Sequence, residues 1–547
     1  MHPKDLAASL SILALAACAS VQPSRAPLFE GTGEHTRPVT TGDPLAQRYF
    51  DQGLALSYGF NHDEAVRSFE EAARIDPGCA LAWWGKAYAL GPNINLPLDE
   101  VHATAAFEAI QEAIAREERA SPVERDLIAA LATRFAMPPP ADREHLDRAY
   151  ADAMAALWKK YPEDADIGFL YADALINLSP WAQWTPDFQP KENTLEMLAT
   201  LDRVLELDVD HPGANHFYIH ALEASGQPGR AEAAADRLGG LTPGLGHMVH
   251  MPAHIYVQVG RYEDSIRANE IGSRLDREYF ARTGDQGIYH FYHAHNNHFR
   301  VWSAMYMGNY EDALDACRLT LEDLPDAIEG DPNAAEWLAM DVHVHLRFGN
   351  WQAVLDTPCP REDQPYAVAM WRYARGIAFA NTGRLEEARA EAAAFEDEVA
   401  RIPEDQMVFI VSALDVMKVA RAMLAGEIAY KAGDPDLAFE HLRRAVAAED
   451  ALRYSEPSPW LMPTRHSLGA LLLDQDKVAE AEVLYREDLR KHAGNVWSLH
   501  GLSECLEKRG EAAEAQAVHA QFQRAAADAT VDVRASCYCR GSGSAGS

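Results

Sequence analysis

The sequence is short of basic residues: 49 Lys and Arg stand against 83 Asp and Glu, a formal net charge of −34 over 547 residues. Nucleic-acid backbones and anionic lipid surfaces are bound mainly through Lys and Arg. The composition therefore argues against a nucleic-acid partner and against membrane binding by charge. Because 48% of the residues are hydrophobic, the chain can build a packed core, which excludes wholesale disorder.

Cysteine is also scarce, with seven residues and neither a haem-attachment C-x-x-C-H string nor paired C-x-x-C strings of a zinc site. Four cysteines are isolated and are predicted to be free buried thiols: Cys79, Cys317, Cys359 and Cys505. Cys537 and Cys539 lie in a tail, residues 530–547, that we predict to be disordered. A Cys-x-Cys pair there could alternatively bind a soft metal.

Long hydrophobic runs are missing as well. One short apolar stretch, residues 6–17, follows Lys4 and ends at Cys18, so residues 1–18 are predicted to be a secretory signal peptide. The Leu15-Ala16-Ala17-Cys18 string resembles a bacterial lipobox, which implies cleavage before a lipid-modified Cys18. An ordinary signal cleaved near Ala17 is the alternative.

The lipobox resemblance implies a protein of the bacterial cell envelope, held by lipid alone and facing the periplasm. Ala19 follows the cysteine, so no aspartate argues for retention in the inner membrane, and the outer membrane is the expected location. Residues 19–43, rich in Gly and Pro, are predicted to be a flexible tether.

Three common catalytic motifs are absent: the His-Glu-x-x-His string of zinc proteases, the phosphate-binding Gly-x-x-x-x-Gly-Lys loop and the Gly-x-Ser-x-Gly elbow. Any chemistry must therefore come from another arrangement of residues.

The chain repeats itself with a period of 34 residues. Counting from Ala46, Gly53 is eighth, Ala65 twentieth, Phe69 twenty-fourth and Pro77 thirty-second. This pattern resembles the tetratricopeptide repeat (TPR), in which small residues let two antiparallel helices pack closely. Further repeats are predicted to start at 80, 212, 246, 294, 335 and 369, and weaker copies near 165, 419, 462 and 496.

The resemblance implies an all-α fold, a TPR-type α-solenoid with a right-handed superhelix, over residues 44–529, with histidine-rich central repeats at 212–368. Segment 98–160 matches the repeat poorly. Within it, Ser121-Pro122-Val123-Glu124 is a capping box with proline at the first helical position, which predicts a helix beginning at Pro122. No series of β-strands is predicted.

Histidines recur at matched places of successive repeats, and twelve of the 22 lie between His211 and His345. His216 and His220 are the fifth and ninth residues of one repeat, and His250 and His254 repeat those places 34 residues later. The second, fifth and ninth places form one stripe of a helix. The whole stripe comprises His216, His220, His247, His250, His254, His295, His298 and His343.

The TPR resemblance implies that this stripe lines the concave groove of the solenoid. A His-x-x-x-His pair on one helical face suits a transition metal, and imidazole ligands favour copper or zinc. Glu223, seven residues after His216, falls on the same face as an oxygen ligand, a base or a partner of a ligand. A histidine-rich groove for an organic or peptide ligand and a purely structural polar network are the alternatives.

Aromatic residues are expected beside this stripe. Trp84, Tyr88 and Trp302 are predicted to wall the groove, whereas Trp83 is predicted to lie in the core.

Two strings, residues 213–223 and 246–256, go beyond the general repeat and, with Gly260-Arg261-Tyr262 and Asn269, resemble a family of bacterial TPR lipoproteins. That resemblance transfers no activity. The hypothesis is an exported TPR solenoid that binds a transition metal, with catalysis left open. The alternative is an envelope scaffold for a peptide or protein partner without metal.

Overall fold

The computed structural model describes residues 26–284, 289–323 and 331–540, which are mainly α-helical. They divide into two compact units. Unit 1 takes Met1–Ile255 and Ile271–Tyr292, and unit 2 takes Tyr256–Glu270 and His293–Ser547.

Unit 1 is built from helices that pair with their neighbours in sequence, for example α1 with α2 and α9 with α10. Its helices are α1 (Pro44–Tyr58), α2 (His62–Ile75), α3 (Ala80–Ala89), α4 (Glu100–Ile114), α5 (Pro122–Ala132), α6 (Glu144–Lys160), α7 (Ala165–Ile176), α8 (Thr194–Leu207), α9 (Pro212–Glu223), α10 (Glu232–Leu241) and α11 (Gly246–His250), with 3₁₀ turns at Glu117–Arg119 and Pro228–Ala231. Three further helices contain the boundaries between the units: α12 (Pro252–Val259), α13 (Tyr262–Thr283) and α14 (Tyr289–Met307).

Unit 2 continues the paired pattern. Its helices are α15 (Tyr310–Asp323), α16 (Met340–Arg347), α17 (Trp351–Asp356), α18 (Pro365–Asn381), α19 (Leu385–Val399), α20 (Ala413–Lys431), α21 (Pro435–Asp450), α22 (Thr464–Asp474), α23 (Val478–Lys491), α24 (Val496–Arg509) and α25 (Ala512–Ala525), with 3₁₀ turns at Pro332–Ala334 and Trp337–Ala339. A short antiparallel hairpin, Met407–Val408 with Val411–Ser412, precedes α20.

The predicted 34-residue repeat is confirmed. Five helices begin at the predicted starts 80, 165, 212, 246 and 496. The packing explains the small residues of the repeat, because a Cβ atom at Gly53 or Gly85 would lie 2.6 or 2.4 Å from the ring of Phe69. The described part of each unit is therefore a stack of TPR-type helix pairs.

The capping box is also confirmed. Ser121 Oγ accepts a hydrogen bond from the Glu124 backbone N–H, and Glu124 Oε2 accepts one from the Ser121 N–H. The helix α5 begins at Pro122, as the sequence predicts.

The segment predicted to be a flexible tether is packed on unit 1 over residues 26–43. Tyr49 OH donates to the Ala26 carbonyl at 2.9 Å, and Arg37 pairs with Asp164 at 2.8 Å. Gly31 approaches Gly244 so closely that a Cβ at Gly31 would lie 2.7 Å from the Gly244 nitrogen. This part of the tether prediction is corrected, because specific hydrogen bonds hold the segment.

The tail predicted to be disordered is likewise ordered over residues 530–540, within unit 2. Cys537 and Cys539 form a disulfide, and Arg540 pairs with Glu504 at 2.6 Å. Among the four isolated cysteines, Cys359 is exposed and the other three are buried, which corrects the prediction for Cys359.

The predicted signal peptide, the lipobox with Cys18, and residues 541–547 of the tail lie outside the described residues. Over the stretches from 26 to 540 that the structure covers, none of the helices combines the length and apolarity needed to cross a membrane.

Candidate metal centre

Two helices of unit 1 carry the central histidines. Pro212 is the first residue of α9, and the His211 side chain caps the helix by accepting from the Ala214 N–H at 3.1 Å. The helix α11 begins at Gly246, where a Cβ would lie 1.9 Å from Asp276 Oδ1 and 3.0 Å from the Gly272 carbonyl oxygen. These starts fix the faces on which the histidines lie.

His216 and His220 from α9 meet His247 from α11 at one point of unit 1. One ring nitrogen from each of the three imidazoles lies within 4.8 Å of the others. All three side chains are buried, with 0%, 5% and 3% of their surfaces exposed. The structure thus brings together three of the eight predicted histidine ligands in a dry cluster, which we call the histidine triad.

Hydrogen bonds fix which nitrogen of His216 and His220 is available. His216 Nδ1 lies 2.6 Å from the Tyr58 carbonyl, which can only accept, so Nδ1 carries the proton. His220 Nδ1 donates to Glu223 Oε1 at 2.9 Å. The Nε2 atoms of both rings are therefore lone-pair donors, as a metal ligand requires.

Those two Nε2 atoms and both nitrogens of His247 are buried and lack hydrogen-bond partners among the described residues. An unsatisfied buried polar atom costs about 1–3 kcal/mol. A bound ion would satisfy the three imidazoles together, since zinc-bound imidazole nitrogens lie about 2.0–2.1 Å from the metal. The three side chains therefore fit a transition metal.

Burial also keeps the triad neutral. It lowers the pKa of His216 to about 3 and lowers the pKa values of His220 and His247 well below their usual range, with repulsion among the histidines adding to the effect. Neutral imidazole is the form that binds metal. The triad is thus ready to bind at neutral pH without losing protons from its ligand nitrogens.

Aromatic rings cover the triad, and sequence reasoning missed the most central one. The centroid of the Phe60 ring lies 4.7 Å from that of His216, 5.3 Å from that of His247 and 5.8 Å from that of His220. Phe60 has a φ of 58°, which is costly for a residue with a side chain. Such strain clusters at functional sites. No feature of the sequence distinguishes Phe60 beforehand.

Two other rings line the triad. Trp181, also at positive φ (56°), packs edge-on against His220 at 5.5 Å. Tyr292 lies 4.7 Å from His247, and its hydroxyl accepts from Asn95 Nδ2 at 3.0 Å. The surroundings of the triad are therefore mainly aromatic.

Glu223 lies between two histidines. Its Oε1 atom contacts His220, and its Oε2 atom accepts from His254 Nδ1 at 2.7 Å. The Nε2 atom of His254 in turn lies 2.8 Å from Nε2 of His250. Of the three roles predicted for Glu223, the geometry supports that of orienting ligand imidazoles.

The histidines predicted to line the concave groove are buried in unit 1. His250 and His254 are also buried, with 0% and 1% exposed. In unit 1, α1 packs against α9, although seven helices separate them in sequence. This contact buries the histidine face, which the repeat pattern alone places in a concave groove.

The three predicted groove aromatics are buried too. Trp84 is 1% exposed and donates from Nε1 to the Leu127 carbonyl, and Tyr88 donates from its hydroxyl to Asp173. Trp302, in unit 2, is 4% exposed. Trp83, predicted to lie in the core, is only partly buried, with Arg116 over its ring. The groove assignment is corrected, because the side chains face helix neighbours instead of solvent.

The other three predicted ligands belong to unit 2: His295, His298 and His343. His298 Nδ1 accepts from Trp337 Nε1 at 3.3 Å, and the Glu336 carboxyl lies 3.8 Å away. His298, Glu336 and His343 line a small cavity. Burial raises the pKa of Glu336 to about 8 and lowers that of His343 to about 4.

The described helices and the internal repeat define the class of this protein: it is a TPR-type α-solenoid with a buried histidine cluster in its first unit. Residues 46–79 match the family model described as tetratricopeptide repeat. No protein of curated function matches the sequence.

Three solved structures show a distant similarity to the chain. The human IFIT1 dimer with PPP-AAAA is 12% identical, covers 89% of this chain and 92% of its own, and gives a TM-score of 0.31. The APC/C hetero-tetramer Cut9-Hcn1 is 13% identical (88% and 74% covered, TM-score 0.29), and yeast Tom70 is 11% identical (88% and 89% covered, TM-score 0.29). Similarity this low says nothing about activity or ligands.

Proposed function

We propose that this TPR solenoid binds a transition-metal ion through His216, His220 and His247. The observation that carries the proposal is the convergence of three buried imidazoles whose available nitrogens lie within 4.8 Å of one another. Purely structural histidines would be expected to use those nitrogens in hydrogen bonds.

The three imidazole ligands restrict which metal ions would bind. Three neutral imidazoles without a thiolate suit copper and zinc, and copper binds more tightly of the two. Glu223 supports this role, since a carboxylate on the far ring nitrogen raises the basicity of a metal-bound imidazole. The chain supplies orientation, a dry pocket and aromatic cover, and a metal would supply Lewis-acid or redox chemistry. Whether the centre acts on a substrate is a separate question.

Elemental analysis tests the proposal directly. Protein purified without a histidine tag or added metal is expected to retain at least one copper or zinc ion per chain after dialysis. The variant His216→Ala/His220→Ala/His247→Ala is expected to lose it while keeping the helical circular-dichroism signal.

His102→Ala is the control, because His102 is exposed and lies outside the triad. A metal content that the triple substitution does not lower, or wild-type protein that cannot be loaded with either metal, would overturn the proposal. The chain would then be better described as an interaction scaffold for a peptide or protein partner.

We further propose that the protein is exported and anchored by a lipid on Cys18, on the strength of the Leu15-Ala16-Ala17-Cys18 string. Labelling with a radioactive fatty acid in bacterial cells is expected to mark the wild type and not Cys18→Ala. A wild type that carries no lipid and fractionates wholly as soluble protein would contradict this.

A further inference from the structure

A pair of histidines in unit 1 lies beside the triad. His250 ends α11 and His254 lies in the first turn of α12, and their Nε2 atoms are 2.8 Å apart. The ring centroids of His247 and His250 are 5.8 Å apart, and those of His220 and His254 are 5.6 Å apart. His250 thus lies beside His247 of the triad, and His254 lies beside His220.

We propose that His250 and His254 bind a second transition-metal ion next to the first, so that unit 1 holds a binuclear centre. This inference rests on the proposed function of the triad. Two imidazole nitrogens on one tetrahedral ion at about 2.0–2.1 Å stand roughly 3.3 Å apart. The observed 2.8 Å would therefore need to open by only about 0.5 Å.

The hydrogen bonds place the lone pairs correctly. Because His254 Nδ1 donates to Glu223 Oε2, His254 Nε2 carries a lone pair. The short contact then requires His250 Nε2 to donate its proton to His254 Nε2. For a metal ion to bind here, His250 takes its other neutral tautomer, with the proton on Nδ1, and the two Nε2 lone pairs then point at one position.

Glu223 joins the two positions. One oxygen holds His220 of the triad and the other holds His254 of the pair, and the carboxylate itself is 3% exposed. Carboxylates commonly orient metal-bound histidines in this way. Glu223 therefore orients one histidine of the triad and one histidine of the pair.

His250 and His254 supply two ligands from unit 1, and a four-coordinate ion takes two more. Phe60 and Tyr292 border the triad, and this apolar cover favours small ligands. The class of ligand that would fit there is a small oxygen donor such as water or hydroxide.

The test counts tightly bound ions on the full chain. Metal-free protein is titrated with Zn²⁺ against a chromogenic chelator, and the wild type is expected to bind two equivalents. His250→Ala is expected to bind one, whereas the triple triad variant loses the tight site that His250→Ala retains. If His250→Ala still binds two equivalents of Zn²⁺, the second site is wrong and the first is unaffected. The same conclusion follows if the wild type and His250→Ala each bind one equivalent. No tight equivalent in the wild type would overturn both.

Spectroscopy tests whether the two sites are adjacent. Protein loaded with two Cu²⁺ ions is expected to show a strongly diminished paramagnetic resonance signal, because neighbouring ions couple magnetically. His250→Gln, loaded with one ion, should regain the full signal of an isolated Cu²⁺. A doubly loaded wild type with the full signal of two isolated ions would show that the sites are not adjacent.

Discussion

The two units carry histidines at the same places of the repeat and surround them differently. In unit 1, His216 and His220 occupy the fifth and ninth places and present unpaired Nε2 atoms to His247. In unit 2, His298 and His343 occupy those places, but Trp337 donates to His298 and the nearest carboxyl, Glu336, has a raised pKa.

The comparison shows what a repeat position decides. It sets the face of the helix on which a side chain lies. The residues around a side chain decide whether it becomes a ligand. A carboxylate on the far nitrogen, such as Glu223, prepares an imidazole for metal, whereas an indole donor uses the lone pair of the imidazole that it contacts. Four predictions test this difference, from the largest expected effect to the smallest.

Removing the triad should remove the stabilisation that its metal ion provides. Metal bound only by the folded state adds about 2.7 kcal/mol at 100 times Kd and about 4.1 kcal/mol at 1,000 times Kd. A chelator is therefore expected to lower the melting temperature of the metal-loaded wild type by more than that of His216→Ala/His220→Ala/His247→Ala. The unit 2 control, His298→Ala/His343→Ala, should respond to chelator like the wild type; if it behaves like the triad variant, the distinction between the units is wrong.

Phe60→Ala should expose the triad. Deleting a buried phenylalanine ring costs about 3 kcal/mol or more, and alanine does not relieve the positive φ. The bound metal is expected to be extracted by chelator at least about tenfold faster, since the ring above all three imidazoles is gone. Phe409→Ala is the matched control, because Phe409 in unit 2 also has a positive φ (54°) and packs on a histidine, His295. Equal extraction rates in the two variants would show that Phe60 does not shield the metal.

The helix pairs and the matched faces could be predicted from sequence because they depend on local spacing. Gly53 and Phe69 are tied to each other by one helix–helix contact, and this contact recurs with the period. The lone pairs of His216 could not be predicted, because the Tyr58 carbonyl that fixes them comes from 158 residues earlier in the chain.

The burial of the histidines could not be predicted either, because it also depends on contacts between residues that are distant in sequence. The contact of α1 with α9 and the packing of residues 26–43 both join parts of unit 1 that are distant in sequence. Trp83 and Trp84 illustrate the consequence. Trp84, predicted to wall the groove, is buried and donates to the Leu127 carbonyl of α5, whereas Trp83, predicted to lie in the core, is only partly buried.

Glu336→Gln should change the pH dependence of stability. Burial raises the pKa of Glu336 from 4.5 to about 8, so between these values the folded carboxyl holds a proton that the unfolded one releases. The free energy of unfolding therefore falls as pH rises through this range, and the neutral amide removes that loss. In urea titrations the free energy of unfolding of the variant is expected to rise relative to that of the wild type between pH 4.5 and pH 8, by on the order of a few kcal/mol. Glu386→Gln, at an exposed position, should show no such trend; a difference that is constant with pH would contradict the raised pKa.

Glu223→Gln should weaken metal binding about 10- to 100-fold, or about 1.4–2.7 kcal/mol, without removing a ligand. The amide oxygen can still accept from His220 Nδ1, but the amide nitrogen then faces His254 Nδ1 and donates to it. His254 is thereby forced into the tautomer whose Nε2 carries the proton, so the second ion should be lost more completely than the first. Competition titrations of Zn²⁺ on the wild type, Glu223→Gln and the unit 2 control Glu336→Gln measure both affinities. If Glu223→Gln binds as tightly as Glu336→Gln, the carboxylate of unit 1 does not prepare its histidines, and the contrast between the two units lies in the imidazoles alone.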